Sequence, residues 1–237
     1  MAELSGTKII VIGGASGVGF AVAAAALAAG AEMVIGSSQG PRVQAAAGKL
    51  GRGATGRIVD VKDEGSVAAF FDAAGPFDHL VFTAGDWGHM FGPTRELDIE
   101  ASKARMEVRF WGAARVAKYA MRQIVRDGSI TLTGGMLAHR PMPGAPLVTA
   151  SANTTEGLAM GLARDLAPVR VNAVCLGLIL SEQVQTMGEA AIARFTANLP
   201  LPRGGTVEEA AEAYLYLMRA TYVTGQIVRV DGGGSLV

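Results

Sequence analysis

A chain of 237 residues, half of them hydrophobic, is long enough for one sizeable core, and 32 glycines beside only 8 Phe, 2 Trp and 4 Tyr suit an α/β protein rich in tight turns. The formal net charge is zero and no basic run is present, so no nucleic-acid partner is expected. A single cysteine, Cys175, leaves nothing for an internal disulfide, which fits a reducing cytoplasm.

Taken in chain order, short apolar runs recur at 8–12, 32–36, 56–60, 78–82, 129–133, 169–174 and 226–230, and read as strands covered on both faces. Between them lie longer alanine-rich segments at about 18–29, 40–50, 64–74, 98–126, 150–167 and 206–219, which read as helices. Strand alternating with helix predicts a doubly wound, Rossmann-like parallel seven-stranded sheet. No shift of composition marks a boundary, so residues 1–237 are read as one domain. Residues 9–31 carry no charge and would be long enough to span a membrane. Gly13, Gly14, Gly17 and Gly19 interrupt the segment early, and a buried strand, a glycine loop and a buried helix explain it better; no membrane role is expected. Segment 177–205, with Pro200, Pro202 and a glycine pair, breaks the alternation. It is read as an excursion over the C-terminal edge of the sheet, a substrate lid, with an ordinary surface helix pair as the alternative.

The loop Gly13-Gly14-Ala15-Ser16-Gly17-Val18-Gly19 directly follows the first strand and opens the first helix. Glycines there let the backbone approach a pyrophosphate, and the helix N-terminus points unpaired N–H groups at the anion. The spacing Gly-x-x-x-Gly-x-Gly resembles the short-chain dehydrogenase/reductase family. So do Asp60-Val61, Thr83-Ala84-Gly85, the segment RVNAVCLGLILS at 170–181, with Leu176 where proline is usual, and VTGQIVRVDGG at 223–233. The resemblance implies a dinucleotide held by Gly13, Ala15, Ser16, Gly17, Val18 and Gly19, with Asp60 and Val61 at the adenine. Ala84 and Gly85 follow the fourth strand, and Ile179 and Ser181 stand on the nicotinamide side. At the end of the second strand stand Ser37 and Ser38, then Arg42, with no carboxylate. Two hydroxyls and a guanidinium would accept a 2′-phosphate, so NADP(H) is expected in preference to NAD(H).

The family's carbonyl chemistry uses a serine, a tyrosine, a lysine and an asparagine. Aligned on EGL at 156–158 and GSITLTGG at 128–135, those positions fall on Gly135, Val148, Ala152 and Arg109. Three residues are candidates to stand in: Arg109 as an electrostatic group rather than a proton donor, with a salt bridge within the fold as the alternative; Thr133, with a hydroxyl that only satisfies the backbone as the alternative; and His139, a residue type suited to proton donation, with a solvent-exposed loop histidine as the alternative. Asp86 and His89 lie on the loop near the same edge, and His79 reads as structural. Val148 and Ala152 are expected to leave an apolar space beside the nicotinamide, with the proton supplied by water, by Arg109-bound water or by a phenol of the substrate itself. No metal site is expected.

Three functions are compatible with this pattern. The favoured one is an NADP(H)-dependent reductase of a ketone or aldehyde with an atypical site. The others are a dinucleotide-binding sensor or partner subunit without turnover, and a related lyase or dehalogenase, against which the intact glycine loop argues. A small-molecule, apolar carbonyl substrate, polycyclic ones included, would suit Trp87, Met90, Phe91, Met187, Phe195 and Leu199, as would simple packing. By the resemblance, helices at 98–126 and 150–167 form a dimer or tetramer interface.

Overall fold

The computed structural model describes residues 3–237, the side chain of His89 apart. Seven parallel strands run in the spatial order β3-β2-β1-β4-β5-β6-β7. In sequence they are β1 (Lys8–Ile12), β2 (Glu32–Ser37), β3 (Ala54–Ile58), β4 (Phe77–Phe82), β5 (Ile124–Gly135), β6 (Arg170–Leu176) and β7 (Ile227–Val230). The helices are α1 (Gly17–Ala28), α2 (Gly40–Leu50), α3 (Glu64–Ala74), α4 (Ile99–Met106), α5 (Ala113–Ala120), α6 (Pro146–Asp165), α7 (Glu182–Gln185), α8 (Glu189–Thr196) and α9 (Val207–Arg219). Strand direction and side-chain alternation divide the core in two. Ile10, Ile12, Leu80, Phe82, Ile130 and Leu132 meet α3, α5 and α6 on one face. Ile9, Val11, Met33, Ile35, Val81 and Val174 meet α1, α2 and α9 on the other. Both sets are almost wholly excluded from water, and each buried aliphatic side chain stabilises the fold by about 1.5–3 kcal/mol.

The expected strands and helices are all present, with differences at three places. The helix expected over 98–126 stops at Ala120, and its centre is a π-helical turn, Glu107–Gly112, between α4 and α5. The fifth strand starts earlier than its apolar run, at Ile124, because Phe77 of β4 pairs with Ile124 before a register shift brings His79 opposite Ser129. Helix α6 starts at Pro146, where the ring's fixed φ suits a first turn.

Helix starts show which ends the sequence closes and which it leaves open. Asp63 accepts from the amide of Gly65 at the start of α3, Asp98 from Ala101 at the start of α4, and Thr206 with Glu209 forms a reciprocal capping box on α9. Ser16, at the start of α1, makes no such bond, and no acidic residue stands in that first turn. The α1 N-terminus therefore keeps its amides and its positive dipole end for something else. It lies beside the place where strand order reverses, between β1 and β4, which is where ligands of open α/β sheets bind. Segment 177–205 leaves the sheet after β6 and returns to it. Its two ends are tied by the pairing of Ile179 with Gly205, with Leu180 N donating to Gly205 O at 2.8 Å.

Candidate active site

A cleft of about 1590 Å³ runs along the C-terminal ends of the central strands. Every residue expected to hold a dinucleotide lines it: Gly13, Ala15, Ser16, Gly17, Val18 and Gly19 of the loop, Ser37, Ser38 and Arg42 at the end of β2, Asp60 and Val61 after β3, Ala84 and Gly85 after β4, and Ile179 and Ser181 from the excursion. The loop's shape is specific to glycine at Gly13. There φ is +91°, and an added Cβ would stand 2.7 Å from Ala84 N. Ser37 Oγ accepts from Gln39 N at 3.3 Å, and Asp60 Oδ1 from Lys62 N at 3.0 Å, so both loops are braced by their own side chains. Ser181 opens α7 by accepting from Val184 N, and its Cβ lies against Gly17.

The other end of the cleft is built from Gly135, Val148, Ala152 and Arg109, all of which line it. Arg109 comes from the π-helical turn. It is buried, and its Nε has no hydrogen-bond partner. Its Nη1 donates to Gly85 O at 3.4 Å and its Nη2 to Thr133 O at 3.3 Å. Both are long contacts, so the guanidinium is only weakly satisfied within the protein. Among the described residues no carboxylate stands within ion-pair distance of it, since Asp86 pairs with Arg105 at 3.0 Å. Burial lowers the Arg109 pKa to about 10, opposed by the charges of Asp86 and Tyr214, and at neutral pH the group stays a cation.

Trp87 lies face-on to that cation, with its ring centroid 3.4 Å from the guanidinium carbon. Two glycines make the arrangement possible. A Cβ on Gly85 would meet Arg109 Cγ at 2.7 Å, and one on Gly135 would meet the indole at 3.2 Å. Trp87 also packs against the buried cluster of Met90, Leu137, Ala145 and Val148. The apolar space expected beside Val148 and Ala152 is thus partly filled by an indole from the loop after β4. Composition gave no sign of this packing. A glycine at position 135, with a lone tryptophan on a neighbouring loop, was the available signal.

The remaining candidates are engaged by other partners. Thr133 lines the cleft, but its hydroxyl donates to Phe82 O at 2.7 Å and lies 2.8 Å from the hydroxyl of Tyr214, which is fully buried on α9. Burial raises the Tyr214 phenol well above its ordinary pKa. His139 is not among the residues lining the cleft. Its Nε2 is 2.9 Å from Glu156 Oε1 and its Nδ1 3.2 Å from Arg229 Nη2. His79 is buried in β4, 2.9 Å from Ser129 Oγ, and burial lowers its pKa to about 4. The side chain of His89 falls outside the described residues. Of the apolar residues expected to face a substrate, Trp87, Phe91, Met187 and Phe195 line the cleft. Met90 does not, being buried in the cluster beneath Trp87. Leu199 lines a separate, smaller cavity.

The chain and its fold have known relatives. A family profile described as Enoyl-(Acyl carrier protein) reductase matches residues 13–235. The chain is 34% identical over 254 residues to the short-chain dehydrogenase/reductase ATR9 of Stachybotrys chlorohalonatus, covering 100% of each. Its fold superposes with a TM-score of 0.92 on the MalC reductase/Diels-Alderase of Malbranchea aurantiaca, at 30% identity over 99% of this chain and 98% of that one. A small-chain dehydrogenase solved in complex with NADPH superposes with a TM-score of 0.80, at 30% identity, covering 98% of this chain and 99% of that one. Among the described residues no helix is long and apolar enough to cross a membrane.

Proposed function

The chain belongs to the short-chain dehydrogenase/reductase family and is an NAD(P)-dependent oxidoreductase acting between CH–OH and C=O groups; from that premise we propose that it is an NADP(H)-dependent reductase of a ketone or aldehyde, working without the family's serine, tyrosine and lysine. The observation that carries the proposal is Arg109, a buried, weakly satisfied cation on the wall of the cleft.

The residues present fit a dinucleotide. The uncapped start of α1 and the glycine loop would hold its diphosphate. Ser37, Ser38 and Arg42 would hold a 2′-phosphate, which favours NADP(H) over NAD(H). Ile179 and Ser181 would border the nicotinamide, which when bound supplies a hydride. Arg109 holds the carbonyl oxygen as it gains charge. Placed in a site of low polarity, such a donor contributes most where negative charge develops. Its pKa of about 10 keeps the proton on the guanidinium at pH 7, so it stabilises without acting as the acid. Trp87 fixes the plane of the guanidinium, and Val148 and Ala152 wall the site with apolar surface. The proton comes from water or from a hydroxyl of the substrate.

Segment 177–205 closes over the substrate as a lid. The exposed Trp111 and Met160, on the helices flanking the site, support assembly into a dimer or tetramer, and the lone cysteine supports a cytoplasmic location. Optical monitoring of NADPH oxidation against ketones, aldehydes and quinones tests the central assignment, with turnover expected on an apolar carbonyl compound. Tight coenzyme binding with no turnover on any of them would overturn it. That result would favour the second reading, a coenzyme-holding module, to which Val148 and Ala152 in place of a phenol and an amine also point.

A further inference from the structure

A second cluster of reactive side chains lies outside the cleft. His139 follows the short turn after β5, Glu156 sits in the middle of α6, and Cys175 lies near the end of β6. Cys175 is fully excluded from water and Glu156 nearly so. His139 Nε2 is 2.9 Å from Glu156 Oε1, and the imidazole nitrogen, a carboxylate oxygen and the sulfur all lie within 4.8 Å of one another. None of the three lines the nucleotide cleft.

We propose that His139, Glu156 and Cys175 form a binding site for one zinc-class divalent cation, separate from the oxidoreductase site. Three observations carry this. The donor set of imidazole, carboxylate and thiolate matches the ligands zinc takes, and three protein ligands leave a fourth position for water. The buried Glu156 carboxylate is left without a full counter-charge: among the described residues no lysine or arginine stands within ion-pair distance of it, its one such partner is His139, and Arg229 reaches only the far side of that imidazole. A dication joined by one carboxylate and one thiolate sums to zero charge, which removes the penalty for burying them. Third, the histidine side chain is 25% exposed while the other two ligands are covered, giving an entry path and a place for the water.

Binding releases one proton. The Cys175 S–H bond breaks as the metal–sulfur bond forms, and the proton leaves to solvent. His139 coordinates through Nε2, so its ring proton resides on Nδ1. Arg229 Nη2 lies 3.2 Å from that Nδ1. Arg229 is an exposed donor on β7, and it must turn away when Nδ1 carries a proton. The bound ion would tie the loop after β5 and the middle of α6 to β6. Glu156 lies one helical turn beyond Ala152 and its Cγ packs near Gly134, so the ion would brace the wall behind the cleft without touching a substrate.

The test uses the full chain, stripped of metal and titrated with zinc by equilibrium dialysis and with cobalt(II) by absorption. One ion per chain is expected, with the thiolate-to-cobalt charge-transfer band that only a cysteine ligand gives. Cys175→Ser should abolish the band. Cys175→Ser and His139→Ala should each weaken zinc binding by roughly tenfold or more, and Arg229→Ala should leave it equal or tighter. Should Cys175→Ser fail to fold, the wild-type cobalt spectrum and His139→Ala, at a partly exposed side chain, still decide. Absence of saturable zinc uptake overturns the proposal. So does uptake that survives the His139→Ala and Cys175→Ser changes, or a cobalt complex with no thiolate band.

Discussion

The two ends of the cleft are made from different materials. At the end proposed for the nucleotide the lining is largely backbone: a glycine turn, the uncapped amides of α1, and short loops at the ends of β2 and β3. At the end proposed for the chemistry the lining is side chains drawn from distant elements, with Arg109 from a π-helical turn laid on Trp87 from a loop, over a glycine at the end of β5. Backbone sites are written locally in the sequence, whereas side-chain sites are written only once the fold has brought their parts together.

That contrast breaks most readily at Arg109. Replacing it with methionine should lower kcat/KM by about 10²–10³-fold, the usual cost of losing a donor to a developing oxyanion, while NADPH affinity stays near wild type. Lysine should recover little, because it lacks the planar fork that lies on the indole. A matched loss of coenzyme affinity would mean that the two ends are not separable.

His79 offers a comparison with the far end of the sheet, where neither function resides. Its pKa falls from 6.5 to about 4 on burial. Between those values the unfolded chain takes up a proton that the folded chain refuses. The His79 contribution is therefore complete above pH 6.5 and is lost as pH falls toward 4. Denaturant unfolding should show up to roughly 3 kcal/mol of this loss. His79→Gln should flatten that part of the profile without moving the pH dependence of turnover.

Arg42 sharpens the nucleotide end. Arg42→Ala should raise the Kd for NADPH by roughly tenfold, the order of one charge-assisted contact, and leave that for NADH unchanged. An equal loss for both would place Arg42 outside the 2′-phosphate contact. The smallest effect is expected at Tyr214. Tyr214→Phe leaves Thr133 its bond to Phe82 O and should cost about 1 kcal/mol of stability, with kcat/KM little altered. A large kinetic effect would return Thr133 to the chemistry.

The seven parallel strands covered on both faces are legible in apolar periodicity, because strands buried on both sides leave a strong local trace, and the residues expected at a dinucleotide, taken from the glycine loop and the family resemblance, all line one cleft. Less legible were the features set by tertiary packing. The long helix carries a π-helical turn that contains Arg109, and the early start of β5 goes with its pairing to β4. Trp87 reads in the sequence as one apolar loop residue among several, and only the pairing of its loop with Gly135 and Arg109 shows its position. Nothing in the sequence marks Glu156 as a ligand, because a glutamate in a helix is ordinarily exposed, and its company of His139 and Cys175 is assembled from three elements.

The most direct measurement is a titration of the purified protein and of Arg109→Met with NADPH and NADH, followed by calorimetry or coenzyme fluorescence. The account predicts one saturable site per chain in both proteins, tighter for NADPH, with hydride transfer impaired only in the variant. Failure of either pyridine nucleotide to bind the wild-type chain would contradict it.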